Sequence, residues 1–178
     1  MINLILSLIY LMLPAYIANM MPVFVKKINF LNTPVDFNKK YKGKPVLGSH
    51  KTWRGLFFGV LGAVIIAYIQ FLLQKYPAFS NISLLDYSDW FAVGFLLGFG
   101  ALSGDIIKSF FKRRVNIKPG KPWIPWDQLD YAVGAMLFIY PVYPLPFMQM
   151  IIILSISFFG HILFNHLGYY LKIRKQKW

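Results

Sequence analysis

The sequence predicts an all-α, polytopic integral membrane protein, a single domain over residues 1–178 with about five transmembrane helices. Three observations carry that expectation. Hydrophobic residues make up 57% of the chain and aromatic residues 19%, with a mean hydropathy of +0.53, which is more apolar material than a soluble domain of this size can bury. Uncharged stretches recur at the length of about 20 residues that crosses a hydrocarbon core of about 30 Å. The cations are confined to the segments between those stretches. Cysteine is absent, which excludes disulfides, cysteine zinc sites and thiol nucleophiles.

Met1 to Val25 carries no charge. It lacks the basic opening and small-residue close of a cleaved signal peptide and runs into Lys26 and Lys27, so it is expected to be a retained first helix. Gly55 to Gln74 is the second span. Trp90 to Gly104 is the third, continuing as a helix through Asp105, Lys108 and Lys112 into the interface. Gly55 with Gly59, and Gly94 with Gly98, are spaced to let neighbouring helices approach closely. Tyr131 to Leu171 is uncharged for 41 residues, which as one helix would be about 60 Å long. Pro141, Pro144 and Pro146 break it, giving a fourth helix from about Asp127 to Tyr140 and a fifth from about Phe147 to Leu171.

Lys26 to Arg54 holds eight basic residues, Lys108 to Lys121 six and the tail from Lys172 four, which leaves Lys75 alone on the other side. Cytoplasmic loops retain lysine and arginine. The N-terminus is therefore expected outside, the C-terminus in the cytoplasm, and the loops at about 26–54 and 108–127 together on the cytoplasmic face of the cell membrane. For the tail "KIRKQKW", topology and attraction to anionic membrane lipids account for the charge. The net charge of +13 thus points to membrane phosphates, and no nucleic acid partner is expected. The sequence carries no signal of oligomeric state.

The second loop needs a further explanation. "DIIKSFFKRRVNIKPGKPWIPWDQLD", from Asp105 to Asp130, contains three of the six acidic residues of a chain without glutamate. Asp105, Ser109 and Lys112 fall on one helix face. Asp127 and Asp130, three apart at the start of the fourth helix, suit either a divalent cation held through oxygen ligands or the preference of acidic groups for a helix N-terminus. Asp105, at the end of an apolar span, is costly unless it faces a polar cavity or a partner such as Lys108 or Lys112. Three aspartates beside Lys112, Arg113, Arg114, Lys118 and Lys121, interleaved with Pro119 and Gly120, suit a metal-bound polyphosphate, with carboxylates for Mg²⁺ and cations for phosphate oxygens.

The first loop adds "GKPVLGSHKTWRG". Gly48, Ser49, His50, Lys51, Thr52 and Arg54 are candidates for a phosphate cradle, without the spacing of a P-loop. His50 reads as a hydrogen-bonding group rather than a base, and His161 and His166 as packing or interfacial residues rather than a metal pair. Trp53, Phe57, Phe58, Phe91 and Phe95 are candidates for a side opening that admits alkyl chains.

The run "GDIIKSFFKRR...K...DQLD" resembles the signature of the CDP-diacylglycerol synthase (phosphatidate cytidylyltransferase) family, roughly G-D, S-x-x-K-R, a lysine and D-R-x-D. Gly104, Asp105, Ser109, Lys112, Arg113, Lys118, Asp127 and Asp130 match it in order. Pro119 stands where the family has an aspartate and Gln128 where it has an arginine, and the family's histidine and paired glycines before the last motif are missing. The short chain, "SHKTWRG" and "KPGKPWIPWDQLD" look like the archaeal branch, the CDP-archaeol synthases.

That resemblance implies a CTP-dependent nucleotidyltransferase acting on a lipid phosphate partner, 2,3-bis-O-geranylgeranyl-sn-glycerol 1-phosphate, with Mg²⁺ as cofactor and CDP-archaeol and pyrophosphate as products. It implies Asp105, Asp127 and Asp130 as metal ligands or organisers, catalytic together with Lys112. By charge, Lys112, Arg113 and Lys118, with Ser109 beside them, would hold the triphosphate. Lys51 and Arg54 would grip either that group or the lipid phosphate. A CDP-alcohol phosphotransferase would need a longer aspartate series with D-G and A-R elements, and an isoprenoid transferase two aspartate-rich motifs. A small transporter or lipid-binding protein would separate Asp105, deep in the bilayer, from Asp127.

Overall fold

The computed structural model describes residues 2–118 and 121–172, so Pro119, Gly120 and the basic tail beyond Lys172 lie outside the described residues. The chain folds as α1 (Ile2–Phe24), a hairpin of β1 (Lys40–Tyr41) and β2 (Lys44–Pro45), α2 (Trp53–Leu73), a single turn α3 (Pro77–Ser80), α4 (Trp90–Arg114), α5 (Trp126–Ile139) and α6 (Phe147–Tyr170). Four helices are long and apolar enough to cross a membrane: α1 with its extension to Lys27, α2, α4 with the turn before it from Tyr87, and α6. The remaining predicted helix forms where the prolines and Asp127 place it. At 14 residues it is about 21 Å long, short of a hydrocarbon core of about 30 Å.

The central element is α4, which packs on α1, α2 and α5, while α6 lies outside them against α5 and α1. The outer face of α6 exposes Phe147, Met148, Phe159, Leu163 and Phe164, a surface suited to lipid. Between the helices the buried residues are largely small or aliphatic, including Leu8, Leu11, Ala15, Ala18, Ala63, Ala67, Leu97, Ala101, Ala132, Ala135 and Ile153. Such residues let helices associate through close packing in a solvent that gives apolar side chains no reason to hide.

Pro14 shows how the chain satisfies its backbone in lipid. A proline has no N–H to donate to the carbonyl four residues earlier. That carbonyl, of Tyr10, instead accepts a hydrogen bond of 2.6 Å from Nε2 of Gln70, a side chain only 1% exposed. A buried polar residue in the last turn of α2 is thus accounted for by a proline in α1.

Two crossings rest on glycine. A Cβ on Gly98 would lie 2.5 Å from that of Ala63, and one on Gly94 2.6 Å from the Val64 backbone, so the spacing read in the sequence marks the α2/α4 contact. The α4/α5 contact is tighter: a Cβ on Gly104 would strike the carbonyl oxygen of Asp130, and one on Gly134 that of Gly100. Backbone meets backbone there, which brings the residue after Gly104 beside Asp130.

Gly104→Ala is therefore expected to destabilise the protein by about 1–3 kcal/mol through overpacking. Gly160→Ala, where an added Cβ meets nothing within 4 Å, should be neutral or stabilising. Thermal unfolding in detergent measures both. An unchanged midpoint for Gly104→Ala would show that the two backbones are not in contact.

Candidate active site

Asp105, Lys108 and Lys112 lie on the same side of α4, and Asp127 and Asp130 on the first turns of α5. At about 1.5 Å per residue, Asp105 is about 22 Å along α4 from Trp90, and Asp127 about 18 Å along α5 from Ile139. Both distances are shorter than a hydrocarbon core of about 30 Å, and an ionised group within such a core needs a partner.

Each has one. Lys108 Nζ lies 2.7 Å from Asp127 Oδ1, 2.9 Å from Asp130 Oδ2 and 3.3 Å from Asp105 Oδ1. Lys112 Nζ donates to both oxygens of Asp127, at 2.6 and 2.9 Å. Lys51, arriving from the first loop, forms a close ion pair with Asp105. Three carboxylates and three ammonium groups are thereby formally neutral. All but Lys51 have side chains at most 16% exposed, which limits the screening that weakens surface pairs.

Lys51 is delivered by a folded loop. Its amide donates to Gly48 O at 3.2 Å, and its carbonyl accepts from Val35 N at 2.8 Å. Trp53 N donates to Thr33 O at 3.0 Å and Arg54 N to Leu31 O at 2.7 Å, while Thr52 Oγ1 caps α2 by accepting from Gly55 N at 3.2 Å. From the other basic segment, Arg114 donates to the carbonyls of Tyr41 and Pro45 and lies over the rings of Tyr41 and Phe110 at 5.3 and 5.0 Å. The two cationic loops meet, as their placement on one face predicts. Within the first, burial works against the charge of Asp36, but amide hydrogen bonds from Leu47, Gly48 and Asn38 outweigh it and hold the carboxyl below its ordinary value. The order it gives the loop is thus present at neutral pH and lost as acid titrates the group.

Of the residues singled out in the sequence, Lys51, Asp105, Lys112, Asp127 and Asp130 come together. The others sit apart from the ion pairs. Arg54, 7% exposed, turns its Nη1 onto Ile28 O at 2.5 Å. Arg113 bonds the Ile117 carbonyl where α4 ends, and Ser109 is buried on α4. Lys118 is exposed and takes no part in the ion pairs among the described residues. The sequence treated Lys108 as a local partner for Asp105, yet it is the residue that touches all three aspartates. Its place three residues after Asp105, facing a D-x-x-D, was the available signal. Nor do the aromatic candidates for a side opening share a location. Trp53, Phe57 and Phe58 begin α2 at the basic end, where Phe57 and Phe58 contact Phe30, whereas Phe91 begins α4 at the opposite end.

Among the described residues, no three carboxylates or imidazoles stand close enough to share a metal ion as placed. The three aspartates converge instead on the Lys108 ammonium. Asp130 Oδ2 is buried, with the Lys108 ammonium 2.9 Å away as its counter-charge. Three hard oxygen donors aimed at one cation fit Mg²⁺ in chemical type.

Beside the Lys51–Asp105 pair, a cavity of about 40 Å³ is lined by Val35, His50, Thr52, Leu56 and Leu102 where α1, α2 and α4 meet the first loop. A larger depression of about 630 Å³ lies at the opposite end, between the end of α2 and the loop before α4. It has only Lys75 and Asp86 as charged groups and lacks the convergent cations of the basic end.

A family model described as CarS-like, CDP-archaeol synthase, matches residues 1–178. The CDP-archaeol synthase of Pyrococcus furiosus is 37% identical over 98% of this chain and 98% of its own length. Those of Methanocaldococcus jannaschii and Archaeoglobus fulgidus are each 36% identical, over 96% and 100% of this chain and 95% and 100% of theirs. A solved structure of an intramembrane enzyme for archaeal membrane lipids biosynthesis superposes with a TM-score of 0.70 at 28% identity, covering 88% of this chain and 91% of that one.

Lys108→Met should destabilise the protein by about 3–5 kcal/mol, because it strips the shared counter-charge from three poorly hydrated carboxylates. Lys118→Met should leave the unfolding midpoint unchanged. Equal midpoints for the two variants would mean that the carboxylates do not depend on Lys108.

Proposed function

The chain belongs to the CarS-like family of CDP-archaeol synthases, and from that premise we propose that it transfers the cytidylyl group of CTP to an archaeal ether-lipid phosphate. The acceptor would be 2,3-bis-O-geranylgeranyl-sn-glycerol 1-phosphate and the products CDP-archaeol and pyrophosphate. A phosphate oxygen of the lipid attacks the α-phosphorus of CTP, and the bond to the α,β-bridging oxygen breaks as pyrophosphate leaves with the electron pair. The nucleophile is already an anion, so no strong base is required. What the reaction needs is alignment and neutralisation of charge on the phosphates.

The observation that carries this reading is the balanced set of Lys51, Lys108 and Lys112 against Asp105, Asp127 and Asp130, assembled from both basic segments. Lys112 and Lys51 are positioned to exchange their carboxylate partners for triphosphate or lipid-phosphate oxygens. Arg113 and Lys118 flank the same end of α4 for the outer phosphates of CTP. Mg²⁺ held by Asp105, Asp127 and Asp130 would supply further neutralisation of the departing pyrophosphate. With the basic loops on the cytoplasmic face, CTP arrives from water and the lipid from the adjoining leaflet, and the two meet at one interface.

Detergent-purified protein with Mg²⁺ and labelled CTP should move label into an organic-extractable product when given the ether-lipid phosphate, and less when given diacyl phosphatidic acid. Asp105→Asn, Asp127→Asn and Asp130→Asn should each lower turnover about 100-fold or more per folded molecule. Turnover preserved in all three would remove the aspartates from the site. Absence of transfer by folded wild-type protein would refute the reaction.

A further inference from the structure

Asp36 is the remaining acidic residue of the basic face. Of the six acids, three lie in the ion-pair cluster, Asp86 and Asp89 lie at the opposite end, and Asp36 stands alone among the eight cations of Lys26 to Arg54. It nevertheless takes no part in the ion pairs among the described residues. Its carboxylate, on a residue 9% exposed, is turned to the backbone. Oδ1 accepts from Asn38 N at 3.0 Å, and Oδ2 from Leu47 N at 2.8 Å and Gly48 N at 3.3 Å. A carboxylate surrounded by cations yet committed to amides shapes the chain rather than balancing charge.

What it shapes is the seat of Lys51. The carbonyl of Gly48, whose amide Asp36 holds, accepts the amide of Lys51, and the amide of Val35, next to Asp36 in sequence, donates to the carbonyl of Lys51. Both backbone groups of Lys51 are therefore fixed through immediate neighbours of Asp36. A lysine side chain is long and rotamer-rich, so the position of its Cα decides whether the ammonium reaches a given carboxylate. Here it reaches Asp105. The hairpin of the same loop is gripped separately by Arg114, so losing Asp36 should loosen the Lys51 turn without releasing the loop from the bundle.

We propose that Asp36 is a positioning residue for the cytidylyl transfer, holding the loop in the shape that presents Lys51 to the site through its bonds to Asn38, Leu47 and Gly48. This rests on the reading that Lys51 serves that site.

A double-mutant cycle tests it, with kcat and KM for CTP and for the lipid phosphate measured in wild type, Asp36→Asn, Lys51→Met and the double variant. Thermal unfolding corrects each for folded protein. Asparagine keeps the size but turns an NH₂ group toward amide donors. Asp36→Asn should lower kcat/KM by about 10- to 100-fold, as expected of a misplaced substrate-contacting group. In the Lys51→Met background the same change should cost about twofold or less, because effects acting through one shared group do not add. Gly48→Ala, at a glycine with φ of +102°, disturbs the same turn while leaving the Asp36 side chain itself unaltered and should show the same dependence on Lys51. If Asp36→Asn folds too poorly to assay, Gly48→Ala carries the cycle. Equal losses in both backgrounds, or wild-type kcat/KM in Asp36→Asn, would overturn the proposal. An unaffected Lys51→Met would remove Lys51 from the site, and the role of Asp36 with it, while leaving the transfer reaction standing.

Discussion

The contact on which the rest of the architecture depends is that of one ammonium group, Lys108 Nζ, with three carboxylates on two helices. Asp105, Asp127 and Asp130 would repel one another at this separation, and a membrane interior offers little water to screen them. Lys108 converts repulsion into a shared bond, and Lys51 and Lys112 complete the neutrality from either side. Such a cluster is poor evidence for stability in itself, since its desolvation offsets much of its attraction. Its value is specificity: it holds three carboxylates from two helices in one place.

Backbone geometry makes that contact possible. Gly104 and Gly134 let α4 and α5 touch main chain to main chain, so Asp105 and Asp130 fall side by side. The shortness of α5 acts in the same direction, because its acidic first turns begin below the level that α4 reaches with Lys112, Arg113 and Arg114. The outcome is a charged cluster set back from the end of α4, with the ordered first loop reaching it through Lys51.

The two cationic loops then take different parts. The first is an ordered strap, tied internally by Asp36 and by the backbone bonds of residues 31–54, and docked on the second segment by Arg114. Its arginine near the start of α2, a plausible phosphate ligand by charge, has its Nη1 on the Ile28 carbonyl. Lysines, with compact charge on flexible stems, make the ion pairs with the aspartates; arginines, with their planar forks, bind carbonyls at loop and helix ends. That division follows the chemistry of the two side chains.

By itself the sequence determined the helical membrane class, the limits of the long helices, the breaking prolines, the gathering of cations at one end and the aspartates at issue. Those properties are local: hydropathy, charge and proline geometry act within a turn or two of the chain, and the D-x-x-D and the spacing of Gly94 and Gly98 are legible without any partner. The tertiary structure decided the partnerships. That Lys108 faces three aspartates depends on where α5 lies against α4. That Gln70 answers Pro14 depends on α1 beside α2, and that Arg54 holds a carbonyl while Lys51 enters the site depends on the path of a loop without periodicity. Contacts between residues 19 to 60 positions apart are set by packing, which no local pattern encodes, and the role of each charged residue here is a consequence of which neighbour the packing supplies.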